Sequence, residues 1–198
     1  MNENTNFFQE DIPSRHINIL YKIKNCKVVK LVRYSSIFPE KAERYNTSPS
    51  LLFCVTVGPL LMTLDSGLIV GFAYLPRTSS VSLWIEQTEQ ALRGNIIPSA
   101  QEDPEMFPIN CCDPNYGQPP ICEIIGQQVV GIKIVKRENP SQKRLNRLPR
   151  EGGLIFELES GFELILSNGL DGYSGTFHII YRHEVSPHYP EILQEIPI

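Results

Sequence analysis

The chain has 198 residues, of which 41% are hydrophobic and 20% charged, with a net charge of −4 and a pI near 5.6. This length is typical of one domain or two small ones with an ordinary hydrophobic core. The mild acidity argues against a nucleic-acid-binding protein that works through a basic surface.

The N-terminal segment contains no basic stretch followed by an apolar one, so no secretory signal is visible. No apolar run approaches the roughly 18 residues of a membrane span. We therefore expect a cytoplasmic protein that does not contact a membrane.

The chain contains five cysteines. An odd number without a secretory signal predicts reduced thiols rather than a disulfide framework. Cys26 and Cys54 lie in apolar, strand-like stretches, which predicts small core residues. Cys111, Cys112 and Cys122 are expected to be thiols of a loop, and the sequence assigns them no role.

The first half of the chain predicts a strand, a polar segment, a hairpin and another strand. Alternating apolar residues mark the first strand, at 27–34, and the hairpin, at 59–72. The strand that follows covers 80–86. Good helix formers before Gly94 then predict a short helix over 85–95.

The second half repeats this order of elements. Its hairpin at 153–166 aligns with the first one, without a gap, at an offset of 94 residues. A first strand precedes it from Val129, and a last strand follows at 174–180. The similar order of strands in the two halves favours an internal duplication.

The alternation of apolar residues determines the register of the second hairpin, GLIFELESGFELIL. With a three-residue loop at 159–161, Leu158 pairs with Phe162 and one face becomes wholly apolar. A two-residue loop would mix polar and apolar side chains on both faces. The last residue of the longer loop has a left-handed backbone conformation, which Gly161 adopts with little strain. The first hairpin predicts the same loop.

The predicted fold is mainly β or α+β, with two tandem related β units around one core, pseudo-twofold symmetry and one short helix. Such a unit is marginal alone and is stabilised by burying its apolar face against the other. The domain division we predict is a first unit at 17–95, a connection rich in Pro and Asn at 96–121, a second unit at 122–185 and a C-terminal arm at 186–198.

Several polar side chains of the second unit could form a binding surface. The partner-binding candidates are four acidic residues and a nearby tyrosine: Glu157, Glu159, Glu163, Asp171 and Tyr173. Paired carboxylates can also act as acids and bases or bind metal. Because the hairpin pattern places Glu157 and Glu163 on a solvent face, it favours a solvated surface over catalysis.

No pattern in the chain predicts a cofactor or a metal. His178, His183 and His188 recur every five residues, a spacing that matches no zinc motif. The basic stretch at 133–150 lacks the interleaved aromatic residues that stack on bases. No phosphate-binding glycine loop, nucleophile elbow or metalloprotease helix is present.

The hairpin sequence GLIFELESGFELILSN resembles strand pairs of immunity proteins from bacterial toxin systems. The resemblance covers the hairpin regions alone. It implies a non-enzymatic inhibitor that binds a toxin domain and blocks its active site. Acidic side chains would then meet a basic toxin surface and speed association.

Two other functions compete with this expectation. One is a small-molecule-binding or enzymatic β domain with a pocket between the two units. The other is a structural module that assembles through exposed strand edges, and the sequence does not determine the oligomeric state.

Overall fold

Two antiparallel sheets make up most of the computed structural model, which describes residues 12–38, 40–42, 47–75, 80–86, 103–138, 151–171, 177–185 and 193–198. Each sheet has five strands, and the helices among these residues are short. The protein is therefore mainly β, as predicted.

The first sheet has the strand order β4-β3-β2-β1-β5. Its strands are β1 (Val28–Ser35), β2 (Leu60–Leu64), β3 (Ile69–Leu75), β4 (Ser80–Ile85) and β5 (Phe107–Asn110). A helix, α1 (Ile17–Ile23), precedes the first strand, and a single turn, α2 (Leu52–Val55), precedes the second.

The second sheet has the strand order β10-β6-β7-β8-β9. Its strands are β6 (Val129–Arg137), β7 (Glu151–Leu158), β8 (Glu163–Ser167), β9 (His178–Ile180) and β10 (Leu193–Pro197), preceded by α3 (Pro119–Cys122). Both sheets thus consist of four strands in meander order, with a fifth strand added beside the first.

Both hairpins have the predicted three-residue loop. The Leu158 N–H donates to the Phe162 carbonyl at 2.9 Å, and the Leu64 N–H donates to the Leu68 carbonyl at the same distance. Gly161 has a φ of 84°, the left-handed value that this loop requires at its last residue. The predicted register of each hairpin is confirmed.

One apolar core joins the two sheets, as predicted. The buried cluster draws on the inner faces of both, and the Phe72 and Phe156 rings meet edge to face with centroids 5.6 Å apart. Neither ring is exposed to solvent. The alternation of each strand explains this arrangement, because every second side chain points to the same side.

The sheets also exchange hydrogen bonds where their first strands begin. Lys27 and Gln128 form an antiparallel bridge between the halves. Each of the two also bonds a hairpin turn: the Asp65 N–H donates to the Lys27 carbonyl and the Glu159 N–H to the Gln128 carbonyl, both at 3.0 Å. In return, the Asp65 carboxylate accepts the Lys27 N–H at 3.0 Å, and the Glu159 carboxylate accepts the Gln128 N–H at 3.3 Å.

Two strands lie where the sequence predicted none. β5 falls in the segment 96–121, interpreted as a connection, and β10 falls in the arm at 186–198. Both are edge strands, paired with β1 and β6 respectively. Of the predicted helix at 85–95, Ile85 belongs to β4, and residues 87–95 lie outside the described residues.

Within the part of the chain that the structure describes, no helix combines the length and apolar character needed to cross a membrane.

Candidate functional site

Two of the predicted binding residues face each other on the outer side of the second sheet. Glu157 on β7 pairs directly with Glu163 on β8, a like-charge arrangement that is unfavourable on its own. Each carboxylate is neutralised by a different cation: Lys133 Nζ lies 2.6 Å from Glu157, and Arg182 Nε lies 2.5 Å from Glu163.

Glu195 on β10 connects these two pairs. It contacts Lys133 at 3.2 Å and also pairs with Arg182. We name these five side chains the ion ladder: Glu157, Lys133, Glu195, Arg182 and Glu163. Burial alone would raise the pKa of Glu195, but hydrogen bonds from Arg182 and Lys133 outweigh it and hold that pKa below its ordinary value. The ladder is a mixed-charge surface with one excess negative charge, not an acidic patch.

The other predicted binding residues lie elsewhere. The Glu159 carboxylate accepts a hydrogen bond from the Gln128 N–H in the hairpin turn. Asp171 contacts His178 and does not belong to the ion ladder. Tyr173 is outside the described residues. The structure therefore divides the predicted cluster among separate places.

A cavity of about 250 Å³ lies between α2 of the first unit and β9 of the second. We name it the α2–β9 cavity. Segments far apart in the sequence supply its polar lining: Cys54, Gln118, Asp171, His178, Tyr181 and Glu184. Such convergence of polar groups in a concave site is typical of ligand recognition.

A tight turn after β8 brings Asp171 to His178. The Ser167 hydroxyl accepts the Leu170 N–H at 2.9 Å, which holds the turn. His178 Nδ1 then lies 2.5 Å from Asp171 Oδ2, and the two side chains are only 13% and 10% exposed. A carboxylate on one ring nitrogen sets the orientation of a histidine ring.

Gln118 links the two walls of the α2–β9 cavity. Its Oε1 accepts a hydrogen bond from the Tyr181 hydroxyl at 2.8 Å and lies 3.9 Å from the Cys54 sulfur. Burial and the neighbouring charge of Glu184 raise the pKa of Tyr181, so its hydroxyl remains a donor.

Cys54 is the only cysteine among the described lining residues, and it is not activated. Burial raises the pKa of its thiol to about 12, although the nearby Arg33 lowers it in part. A nucleophilic cysteine requires the thiolate, which this environment disfavours at neutral pH. The arrangement therefore favours binding over covalent catalysis.

Arg33 is fully buried between the sheets. Its Nη2 donates to the backbone carbonyls of Thr56 and Phe177, the latter at 2.6 Å, and its guanidinium lies 4.3 Å from the Phe177 ring centroid. Burial lowers its pKa to about 9, so it is still charged at neutral pH. Because Thr56 follows α2 and Phe177 precedes β9, Arg33 links the two halves of the chain beside the cavity.

The prediction of reduced loop thiols was wrong for Cys112 and Cys122, which form a disulfide. The turn after β5 and the helix α3 bring their Cα atoms to 4.7 Å, within the range for a disulfide. The bond lines a second cavity of about 490 Å³ that also touches Cys111 and Gln118. We name it the disulfide cavity. Cys54, by contrast, is a buried free thiol, as expected.

A pocket between the two units was expected only as an alternative, without its lining residues, which come from segments far apart in the chain. The disulfide cavity, lined by the single segment 111–123, was not predicted, because the sequence did not show that this loop closes. Across the described ranges, no group of three His, Cys, Asp or Glu side chains is arranged to hold a metal ion. The fold and the two cavities define a two-sheet β protein with a polar site between its halves. No family model, curated protein or solved structure matches this chain.

Proposed function

We propose that the protein binds a small cationic group, such as a guanidinium, in the α2–β9 cavity. The observation that carries this proposal is the convergence of Asp171, Glu184 and Tyr181 on one cavity built from both units. This corresponds to the pocket between the two units that the sequence analysis considered as an alternative function.

The charges of the lining favour a cation. Asp171, which contacts His178, and Glu184, which accepts the Tyr181 N–H, contribute carboxylates, and the described lining residues include no lysine or arginine. The fully buried Arg33 is not among the lining residues, and its Nη2 donates to two backbone carbonyls. Tyr181 adds an aromatic ring, a group that attracts cations through its face, and one of its two faces is stacked on the His183 ring.

The size of the cavity limits the ligand. A volume of about 250 Å³ corresponds to about eight water molecules at roughly 30 Å³ each. This is slightly below the usual range for drug-sized ligands, roughly 300 to 1,000 Å³. A head group of a few heavy atoms fits, whereas a nucleotide does not.

Thermal unfolding in the presence of methylguanidinium tests the proposal. At ten times its Kd, a ligand stabilises the native state by about 1.4 kcal/mol, which is about 3 to 6 °C for a protein of this size. N-methylurea, a neutral compound of similar shape, should have no effect. Amide chemical shifts near Asp171 and His178 should change with methylguanidinium alone.

A matched pair of variants separates the cavity from general charge effects. Asp171→Asn should abolish the shift, while Glu163→Gln, on the ion ladder, should retain it. If wild-type protein gave no saturable shift, or if N-methylurea acted equally, the cation site would be rejected.

A second proposal is the immunity protein expected from the hairpins, which would inhibit a basic toxin domain. The ion ladder supports it, because this charged surface has no counterpart at Thr63 and Ile69 of the first hairpin. The test is co-elution with a toxin domain encoded beside the gene for this chain. No complex at low ionic strength, where charged surfaces attract most strongly, would contradict it.

We also infer that the two units derive from one duplicated unit. The shared strand order and the matching bonds of Asp65 and Glu159 support this inference.

A further inference from the structure

The disulfide closes a loop, 112–122, that touches both walls of the α2–β9 cavity. On the α2 side, the Tyr116 carbonyl accepts the Phe53 N–H at 3.1 Å. On the β9 side, Gln118 Oε1 accepts the Tyr181 hydroxyl at 2.8 Å. Any change in the order of this loop therefore acts on both walls at once.

The disulfide is placed where a thiol reagent can reach it. Cys112 is exposed, Cys122 is half-buried, and both line the disulfide cavity of about 490 Å³. A third sulfur, the buried Cys111 thiol, lies 3.8 Å from Cys112 Sγ. Burial raises the pKa of Cys111 to about 11, so at neutral pH it does not compete as a nucleophile.

We propose that the Cys112–Cys122 disulfide is a redox-controlled restraint on the α2–β9 cavity, which a dithiol reductant releases. The oxidised form holds loop 112–122 in place and keeps Gln118 between Cys54 and Tyr181. The reduced form loosens the loop, since a cross-link restricts the conformations of the chain that it closes.

The exchange needs no metal or cofactor. A thiolate of the dithiol attacks Cys112 Sγ, the exposed sulfur, and forms a mixed disulfide while Cys122 leaves as a thiolate and takes a proton. The second thiol of the reductant then attacks the reductant sulfur that is bonded to Cys112. Cys112 leaves as a thiolate and takes a proton. Two electrons and two protons pass to the protein, and the dithiol becomes a cyclic disulfide.

Hydrogen exchange with and without dithiothreitol tests the restraint without any ligand. The Phe53 amide donates to the Tyr116 carbonyl of the loop, and the Gly117 amide donates to the Asp113 carbonyl within it. In the reduced protein these two amides should exchange at least tenfold faster. The Leu158 amide, in the hairpin of the second sheet, should exchange at an unchanged rate.

Two variants serve as controls. Cys112→Ser with Cys122→Ser should show the fast exchange at once and no response to dithiothreitol. Cys111→Ser, which removes the third sulfur, should respond as the wild type does. Equal exchange rates in oxidised and reduced protein, or a disulfide that excess dithiothreitol leaves intact in the folded protein at neutral pH, would overturn the proposal.

The effect of the restraint on ligand binding rests on the proposed cation site. We expect methylguanidinium to bind to the α2–β9 cavity at least fivefold more weakly after reduction of the disulfide. The two proposals can fail separately. If methylguanidinium does not bind at all, the cation site is wrong, and the exchange rates of Phe53 and Gly117 still decide the redox restraint.

Discussion

The inner faces of the two sheets are alike, whereas their outer faces differ. Both inner faces contribute apolar side chains to one buried cluster, and the buried Arg33 also lies between them. On the outer face of the first sheet, the Trp84 ring covers Gly71, where a Cβ atom would lie 2.3 Å from the ring. At the equivalent position of the second sheet, Ile165 is buried in a separate small cluster with Ile155 and Leu170.

The difference shows where the sequence is free to vary. Inner residues of one sheet must fit those of the other, so both hairpins keep the same alternation. Each outer face has only its own neighbouring side chains to fit. One outer face consequently has an aromatic cover and the other has an apolar cluster beside the ion ladder.

Removing a large ring from the shared core should have the largest effect. Phe72→Ala and Phe156→Ala should each lower the free energy of unfolding by about 3 to 5 kcal/mol, because both rings are fully buried. The double variant should lose less than the sum, since the two rings contact each other. Urea denaturation should show one transition in every case. A second transition, with one sheet still folded, would contradict the shared core.

Neutralising the ion ladder should have a smaller, pH-dependent effect. The folded-state pKa of Glu195 is lowered, so its contribution is present above the ordinary glutamate range and is lost as pH falls through the folded value. Glu195→Gln should cost about 1 kcal/mol at neutral pH, as partly exposed ion pairs do. Denaturation midpoints measured from neutral to acidic pH should converge for variant and wild type. Glu40→Gln, at an exposed site, is the control. If the midpoints of Glu195→Gln and the wild type differed equally at every pH, the stabilising role of the ion ladder would be contradicted.

The turn acids should show the smallest effect and test the equivalence of the two units. Asp65→Ala and Glu159→Ala each remove one acceptor for a backbone N–H, which should cost about 0.5 kcal/mol because both hydrogen bonds are exposed. Asp65→Asn and Glu159→Gln keep an acceptor oxygen and should recover most of the loss. The measurement is the urea midpoint, and a cost at one turn only would contradict the equivalence.

Local alternation was enough to predict the hairpins, because Leu158 and Phe162 leave only one register with an apolar face. It did not reveal β5 or β10. These edge strands contain a proline and have four and five residues, and only β1 and β6 give them a partner. Their pairing is therefore determined by tertiary structure rather than by their own sequence.

The candidate site was beyond sequence reasoning for a similar reason. Asp171 was assigned to an acidic surface, but the turn held by Ser167 directs it to His178. Gln118 lies in a segment rich in proline, with no pattern that connects it to Tyr181. The spacing of Cys112 and Cys122 likewise did not show that their loop closes.

The junction between the two first strands has a consequence for how the protein is made. The Gln128 side-chain amide donates to the Asn25 carbonyl across 103 residues of chain. Contacts this distant form slowly, because a long loop must close before they stabilise anything. During synthesis, Lys27 can pair early with the turn at Asp65, but Asn25 and Val28 lack their partners at 126–129 until that segment has left the ribosome. The N-terminal half therefore exposes an incomplete edge for most of its time as a nascent chain, when edges are prone to wrong pairing.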